Sequence, residues 1–263
     1  MAEWINSRAN PRVQALAALR LRKHRQAQSL TLAEGLHLVA GAFAASAPVA
    51  ALIISRRAAD LPPVPALEDR ARSLGVDILH LSDSCYDKIS QLESPEGIAV
   101  TIRTATIPLE SLLTGSARLL VAAGVQDPGN AGALVRTAEA ASASGCIFLG
   151  GLDLSHPRFL RGAQTSTFRL PCVAALVSPF LDALNRTPIR LIVAEPRQAT
   201  DYLAADYSPP LAIVVGGEGQ GIPAPLIAAA HARVSIPMSH PVESLNLAVA
   251  AGILLYQARR QWS

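Results

Sequence analysis

Lysine is almost missing from this chain of 263 residues: two are present, against 21 arginines. Aromatic residues make up 4% and charged residues 16%, while half of the residues are apolar. So little charge beside so much apolar material excludes a disordered chain and supplies a buried core. Cysteine is scarce too. Cys85, Cys146 and Cys172 are odd in number and lack metal-ligand spacing, so neither a disulfide framework nor a zinc site is expected, and a reducing cytoplasm fits. No run of about 18 uninterrupted apolar residues occurs; residues 38–54 are built on alanines and broken by Pro48, so no membrane span is expected. Fixed-period repeats and low-complexity tracts are also lacking, which sets solenoids and long linkers aside. The length favours two unequal domains.

What charge there is lies at one end. The net charge is +3, yet residues 1–30 hold Arg8, Arg12, Arg20, Arg22, Lys23 and Arg25 against Glu3 alone, a net of +5, while the remainder carries 17 basic and 19 acidic residues, a net of −2. A basic end of this kind points to a polyanion, because neutralised phosphates release counterions whatever the base sequence. A solvated helix face or an Arg-rich transit segment gives the same composition.

Periodicity predicts alternating elements. Residues 11–25 read as a basic amphipathic helix on Val13, Leu16 and Leu19, followed by a helix over 32–45, a strand over 49–54, a helix near 67–74 and strands at 78–81 and 98–102. This first module, residues 1–104, gives way to a connecting stretch, 105–117, with Pro108 and Gly115. From residue 118 onward the predicted strands are 119–123, 146–149, 169–173, 191–194, 211–215 and 234–236, and the predicted helices 131–143, 157–165, 179–185, 223–230 and 245–259. Strands alternating with helices imply a parallel sheet in an α/β/α arrangement, with ligands beyond the carboxyl ends of the strands.

Three segments just after strands carry chemistry. In QDPGNAGALVRTAEAA, residues 126–141, Asp127, Pro128 and Gly129 break the strand and Asn130 stands where a side chain caps a helix, with Arg136 nearly two turns on. A capped helix with a solvated arginine is the plain alternative. In LAIVVGGEGQGI, residues 211–222, a buried strand runs into glycines and Glu218, which lets backbone approach a ligand. No lysine follows to make a phosphate loop, and the glycine spacing does not fit the dinucleotide fingerprint. In VSIPMSHPVESLNLAVAAGILLYQ, residues 234–257, Ser244, Leu245 and Asn246 open an apolar helix, where unpaired N–H groups await a cap or a ligand.

Together these segments resemble the SpoU family of RNA 2′-O-methyltransferases, whose motifs match Asn130, Gly132 and Arg136, then Gly216, Glu218 and Gly221, then Pro237, Met238, Ser244, Leu245 and Asn246. The front of the chain, with INSRANPRVQAL, Arg25, Glu34-Gly35 and SPEGIAV, is similar to the accessory domain of ribosomal-RNA members; starting near Ile5, it argues against a cleaved transit segment. Two positions depart from the pattern. Ala141 and Ser142 stand where an aromatic residue and a glycine are common, and His240 stands for a glycine, at a steric cost if its φ is positive. His240 as a base is the alternative use of that side chain.

The resemblance implies a knotted, parallel-sheet methyltransferase domain over 118–263, with a deep trefoil knot, beside a smaller N-terminal α/β RNA-binding domain. It implies S-adenosylmethionine held by Gly216, Gly217, Gly221, Ile236, Met238 and Leu245, with Arg136, Asn130, Glu218, Ser244 and Asn246 in the catalytic set. No metal is implied. Arg136 then acts as a base or holds the acceptor oxygen, and Glu218 orients it. The implied partners are ribosomal RNA, reached by Arg8, Arg20, Arg22, Lys23 and Arg25, and a second copy of the chain, with the last helix partly at the subunit contact. Trp4 is either a stacking surface for a base or a packing anchor. Two other functions remain: an inactive RNA-binding ribosome assembly factor on the same scaffold, and an unrelated nucleotide-binding α/β enzyme.

Overall fold

The computed structural model describes residues 3–195, 199–217 and 221–262, and in it the apolar runs of the sequence form two separate sheets. The first contains β1 (Trp4–Ile5), α1 (Pro11–Ala18), α2 (Arg22–Gln28), β2 (Leu30–Glu34), α3 (Leu36–Ala44), β3 (Val49–Ser55), α4 (Arg56–Ala59), α5 (Pro63–Ser73), β4 (Asp77–Leu81), α6 (Asp83–Ile89) and β5 (Ile98–Arg103). Its strand order is β1-β4-β3-β5-β2, with β5 antiparallel to both neighbours.

Two predicted elements of this unit differ. The basic helix is two helices, because Leu19 is 1% exposed while Leu21 is 54% exposed, so the apolar stripe does not run on past the turn. The predicted helix over 32–45 is a strand leading into a helix: Leu32 and Ala33 lie buried in β2, and Gly35, at φ 101°, makes the bend that a side-chain-bearing residue resists. A strand abutting a helix without a linker left no break in the hydrophobic pattern.

The second series contains β6 (Arg118–Ala123), α7 (Pro128–Ala140), β7 (Gly145–Leu149), α8 (Pro157–Ala163), β8 (Cys172–Ala175), α9 (Val177–Leu184), β9 (Arg190–Ala194), β10 (Thr200–Asp201), β11 (Leu211–Gly216), α10 (Ala224–Ala228), β12 (Ala232–Ser235) and α11 (Leu247–Arg259). The sheet runs β10-β12-β9-β11-β6-β7-β8, and every pairing in it is parallel. Leu119, Val121, Ile147, Val193, Val214 and Phe180 fill its core. Strands buried on both faces read as continuous apolar runs, which is why they were legible. The strand predicted over 169–173 starts later: β8 begins at Cys172, after Pro171, which leaves Arg169 outside it.

The chain divides into two units: one takes the residues up to Ala105 together with Ser155–Phe168, the other takes Thr106–Leu154 and the residues from Arg169. The inserted segment is fastened to the first unit, where the Thr31 hydroxyl donates to the Ser155 carbonyl at 2.6 Å. All three cysteines are free thiols. Among the described residues no helix is long and apolar enough to cross a membrane, and no cluster of His, Cys, Asp or Glu has the arrangement of a metal site.

Candidate active site

Because β6, β9, β11 and β12 are parallel and adjacent, their carboxyl ends open along one edge of the second unit's sheet. Two hollows lie there. The first, about 590 Å³, is walled by Val215, Gly216, Val234, Ile236, Met238 and Leu245, among others, with Ser244 at its rim. The second, about 530 Å³, is polar and takes Gly124, Gln126, Asp127, Asn130 and Gly217. Leu247, at the first turn of α11, lines both.

The glycines serve the protein's own backbone. A Cβ on Gly217 would stand 2.4 Å from the Gly124 carbonyl oxygen, and one on Gly216 would stand 2.8 Å from the Gly221 carbonyl carbon. Gly217 also donates its N–H to the Ala123 carbonyl at 2.7 Å and pairs with Gly221 as an isolated bridge. Gly216 and Gly217 therefore lie tight against neighbouring backbone at the strand ends, and only residues without side chains allow that approach.

Two residues change role. The cap of α7 is Asp127, whose Oδ1 accepts the Asn130 N–H at 2.8 Å, so Asn130 is not the cap and instead lines the polar hollow. Asn246 is the cap of α11, its Oδ1 accepting the Ala248 N–H at 2.9 Å, and it lines neither hollow. Arg136 is exposed on α7 and also lines neither, and it has no carboxylate partner among the described residues. Glu218 lies outside the described residues. His240 takes no left-handed conformation, so the cost expected there is not incurred.

Glu195 and Glu243 line the first hollow and were not anticipated. Glu195 follows β9, its Oε2 is sealed from water without a hydrogen bond, and the Arg233 Nη1 stands 3.7 Å away. A carboxylate oxygen held in an apolar wall attracts a cationic or hydroxyl-bearing ligand. Its one sequence signal was its place directly after a buried strand.

In the first unit Arg8, Arg20, Arg22 and Lys23 are exposed. Arg25 corrects the expectation of RNA contact: it is 2% exposed, and it donates to the carbonyls of Leu19 at 2.8 Å and Arg20 at 2.9 Å and to the Ser155 hydroxyl at 3.1 Å. It closes the turn between α1 and α2. Arg20 also donates to the carbonyls of Lys88 and Ser90, each at 2.6 Å. Trp4 packs edge-on against His80, with ring centroids 5.1 Å apart, and lies under the Arg56 guanidinium, which is the arrangement of an anchor.

Comparison with known proteins agrees with this geometry. The SpoU rRNA Methylase family model matches residues 117–256, and the MRM3-like substrate binding domain model matches residues 10–100. The chain is 31% identical to the 23S rRNA (guanosine(2553)-2′-O)-methyltransferase RlmP of Bacillus subtilis, over 97% of this chain and 98% of that protein. An AdoMet-bound rRNA methyltransferase from Sinorhizobium meliloti superposes with a TM-score of 0.89 at 29% identity, covering 98% of this chain and 97% of that one. The AdoMet complex of AviRb from Streptomyces viridochromogenes superposes with a TM-score of 0.86 at 25% identity, covering 96% and 98%.

Proposed function

The chain belongs to the SpoU rRNA methylase family, and from that premise we propose that it transfers a methyl group from S-adenosylmethionine to a ribose 2′-oxygen of 23S ribosomal RNA. The observation that carries the proposal is the pairing of an apolar hollow with a polar one across Leu247. Transfer between a bound donor and a sugar hydroxyl needs two adjoining compartments of that character.

The residues present fit the cofactor. Ile236, Met238 and Leu245 offer apolar walls to its adenosine and methionine parts, and Gly216, with Gly217 and Gly221 shaping the loop, leaves backbone groups accessible. The sealed Glu195 oxygen and the Glu243 carboxylate suit a cationic guest. S-adenosylmethionine supplies a methyl group on a positively charged sulfur, an electrophile so reactive that the protein's task is alignment and care of the hydroxyl proton.

That task falls to Asn130 in the polar hollow, to Ser244 at the rim of the apolar one and to Arg136. The Asn130 amide and the Ser244 hydroxyl position the ribose, and Arg136 fixes the attacking oxygen and stabilises the charge that develops on it. A guanidinium keeps its proton at any physiological pH, so its field rather than its basicity does this. Arg136 lines neither hollow of its own chain, and Val249 and Tyr256 leave half of their surfaces exposed on α11, which packs on α7. A homodimer built on this face would bring Arg136 to the partner's hollows, so the active unit is proposed to be two copies. The trefoil knot of the family belongs to the proposal as well, formed where the Gly221 loop, the 236–246 stretch and α11 converge. The exposed Arg8, Arg22 and Lys23 of the first unit provide attraction to RNA phosphates, and a reducing cytoplasm suits the free thiols.

The decisive experiment maps ribose methylation across ribosomal RNA in a strain lacking the gene. One nucleotide is expected to lose its 2′-O-methyl group and to regain it with the wild-type copy. An unchanged map, together with no S-adenosylmethionine binding by calorimetry, overturns the proposal.

A further inference from the structure

We infer that Glu195 sets the preference of the apolar hollow for the unreacted cofactor over the spent one, by answering a positive charge that the reaction removes. The inference rests on the proposed use of S-adenosylmethionine and adds to it a reason for the product to leave. In methyl transfer the ribose oxygen bonds to the methyl carbon and the carbon–sulfur bond breaks with its electron pair on sulfur, while the hydroxyl proton passes to water. The guest thereby loses one unit of positive charge and keeps every hydrogen-bonding group it had. Two forms so alike are told apart chiefly by a fixed charge in the wall.

The lining of the hollow supplies that charge. Of the described residues that wall it, two are acidic, Glu195 and Glu243, and none is basic. Glu243 is exposed, so water weakens its field, whereas Glu195 is half-buried in a wall that includes Ala194, Val215 and Val234. Its backbone is fixed: the Glu195 N–H donates to the Val234 carbonyl at 2.9 Å, which carries the ladder between β9 and β12 one residue past Ala194. One carboxylate oxygen, Oε2, is sealed from water and takes no hydrogen bond. An ammonium brings three N–H donors that each ask for an acceptor, and a sulfonium brings none, so a bare negative field in an apolar wall suits the sulfur. Arg233 is the counterweight. It pairs with Val193 on the neighbouring strand, and its Nη1 stands 3.7 Å from Glu195 Oε2, too far for a hydrogen bond. Its side chain is 41% exposed against 27% for Glu195, so water screens the base more than the acid and the balance at the hollow stays negative.

The test uses the full chain as wild type, Glu195→Gln and Arg233→Gln, and titrates each by calorimetry with S-adenosylmethionine and with S-adenosylhomocysteine, the form without the methyl group and its charge. Thermal melting of the empty proteins shows that each variant folds. Glu195→Gln is expected to weaken S-adenosylmethionine about tenfold and S-adenosylhomocysteine less than about twofold. Arg233→Gln removes the counterweight and should move the ratio of the two affinities the other way, by about twofold to threefold in favour of S-adenosylmethionine. Opposite shifts from an acid and a base on adjoining strands are what a charge effect gives and a packing effect does not. Equal weakening of both ligands by Glu195→Gln overturns the inference, since the carboxylate would then hold a group that both forms carry; so do unchanged affinities. Should Glu195→Gln fail to fold, an unmoved ratio in Arg233→Gln overturns it alone. Failure of the wild type to bind either ligand would instead remove the reading beneath the inference.

Discussion

Asp127 and Asn130 divide the work at the start of α7: the Asp127 carboxylate accepts the Asn130 backbone N–H at 2.8 Å, and the Asn130 side chain is thereby left to the polar hollow. A negative cap at a helix N-terminus stabilises through both the hydrogen bond and the helix dipole. Replacing Asp127 with Ala should cost about 1 kcal/mol in urea unfolding, and Asp127→Asn, which keeps the acceptor, should recover most of it. Equal losses in the two variants would show that the cap is not the source of the stability.

Glu195 is the acidic residue of the apolar hollow with a buried, unbonded oxygen. If it faces a cationic cofactor, Glu195→Gln should weaken S-adenosylmethionine binding about tenfold, which is about 1.4 kcal/mol. Calorimetry reads this directly, with unchanged melting of the empty protein as the control. Unchanged affinity would assign Glu195 to the Arg233 ion pair alone.

Ser142 occupies the position after the cap of α7 with φ 67°, a left-handed conformation that serine adopts only at a cost. The pattern of the family places glycine here, and the backbone agrees with the pattern rather than with the residue. Ser142→Gly should raise stability by about 0.5–1 kcal/mol in urea unfolding, while Ser142→Ala should not. A stability gain in the alanine variant would locate the effect in the side chain instead.

The sequence was most legible where burial is continuous. The parallel strands around Leu119, Ile147, Leu191 and Leu211 stand where apolar runs placed them, since strands covered on both faces have no polar interruption. Where two elements abut at a single residue, as β2 and α3 do at Gly35, the pattern merged them. In the hollows, Gly216, Ile236, Met238, Leu245, Ser244 and Asn130 lie near the strand ends. Side chains whose role depends on a distant partner were not readable. Arg25 looks like its basic neighbours until the Leu19 carbonyl and the Ser155 hydroxyl claim it, and Asp127 looks like a strand breaker until its carboxylate meets the helix.

Arg136 is exposed and unpaired by any carboxylate among the described residues, so removing it takes nothing from the apolar hollow. Arg136→Ala should abolish methylation while leaving S-adenosylmethionine affinity within about threefold of wild type. Weak cofactor binding in this variant would place the side chain at the donor rather than the acceptor.

The basic end of the chain separates into two kinds of arginine, and salt distinguishes them. Arg22 and Lys23 are exposed, whereas Arg25 is held between backbone carbonyls and the Ser155 hydroxyl. Each phosphate that a variant no longer neutralises should lower the slope of log affinity against log salt by about 1, so Arg22→Ala and Lys23→Ala together should flatten RNA binding by about 2. Arg25→Ala should leave that slope within about half a unit of wild type. Instead it should destabilise the unit by about 2–3 kcal/mol, because a buried charged donor is removed and its acceptors, the Leu19 and Arg20 carbonyls and the Ser155 hydroxyl among them, are left without it. Filter binding of ribosomal RNA across a salt series, beside urea unfolding of the same variants, reads both effects; a flattened slope in Arg25→Ala with normal stability would return that residue to the RNA-contacting set.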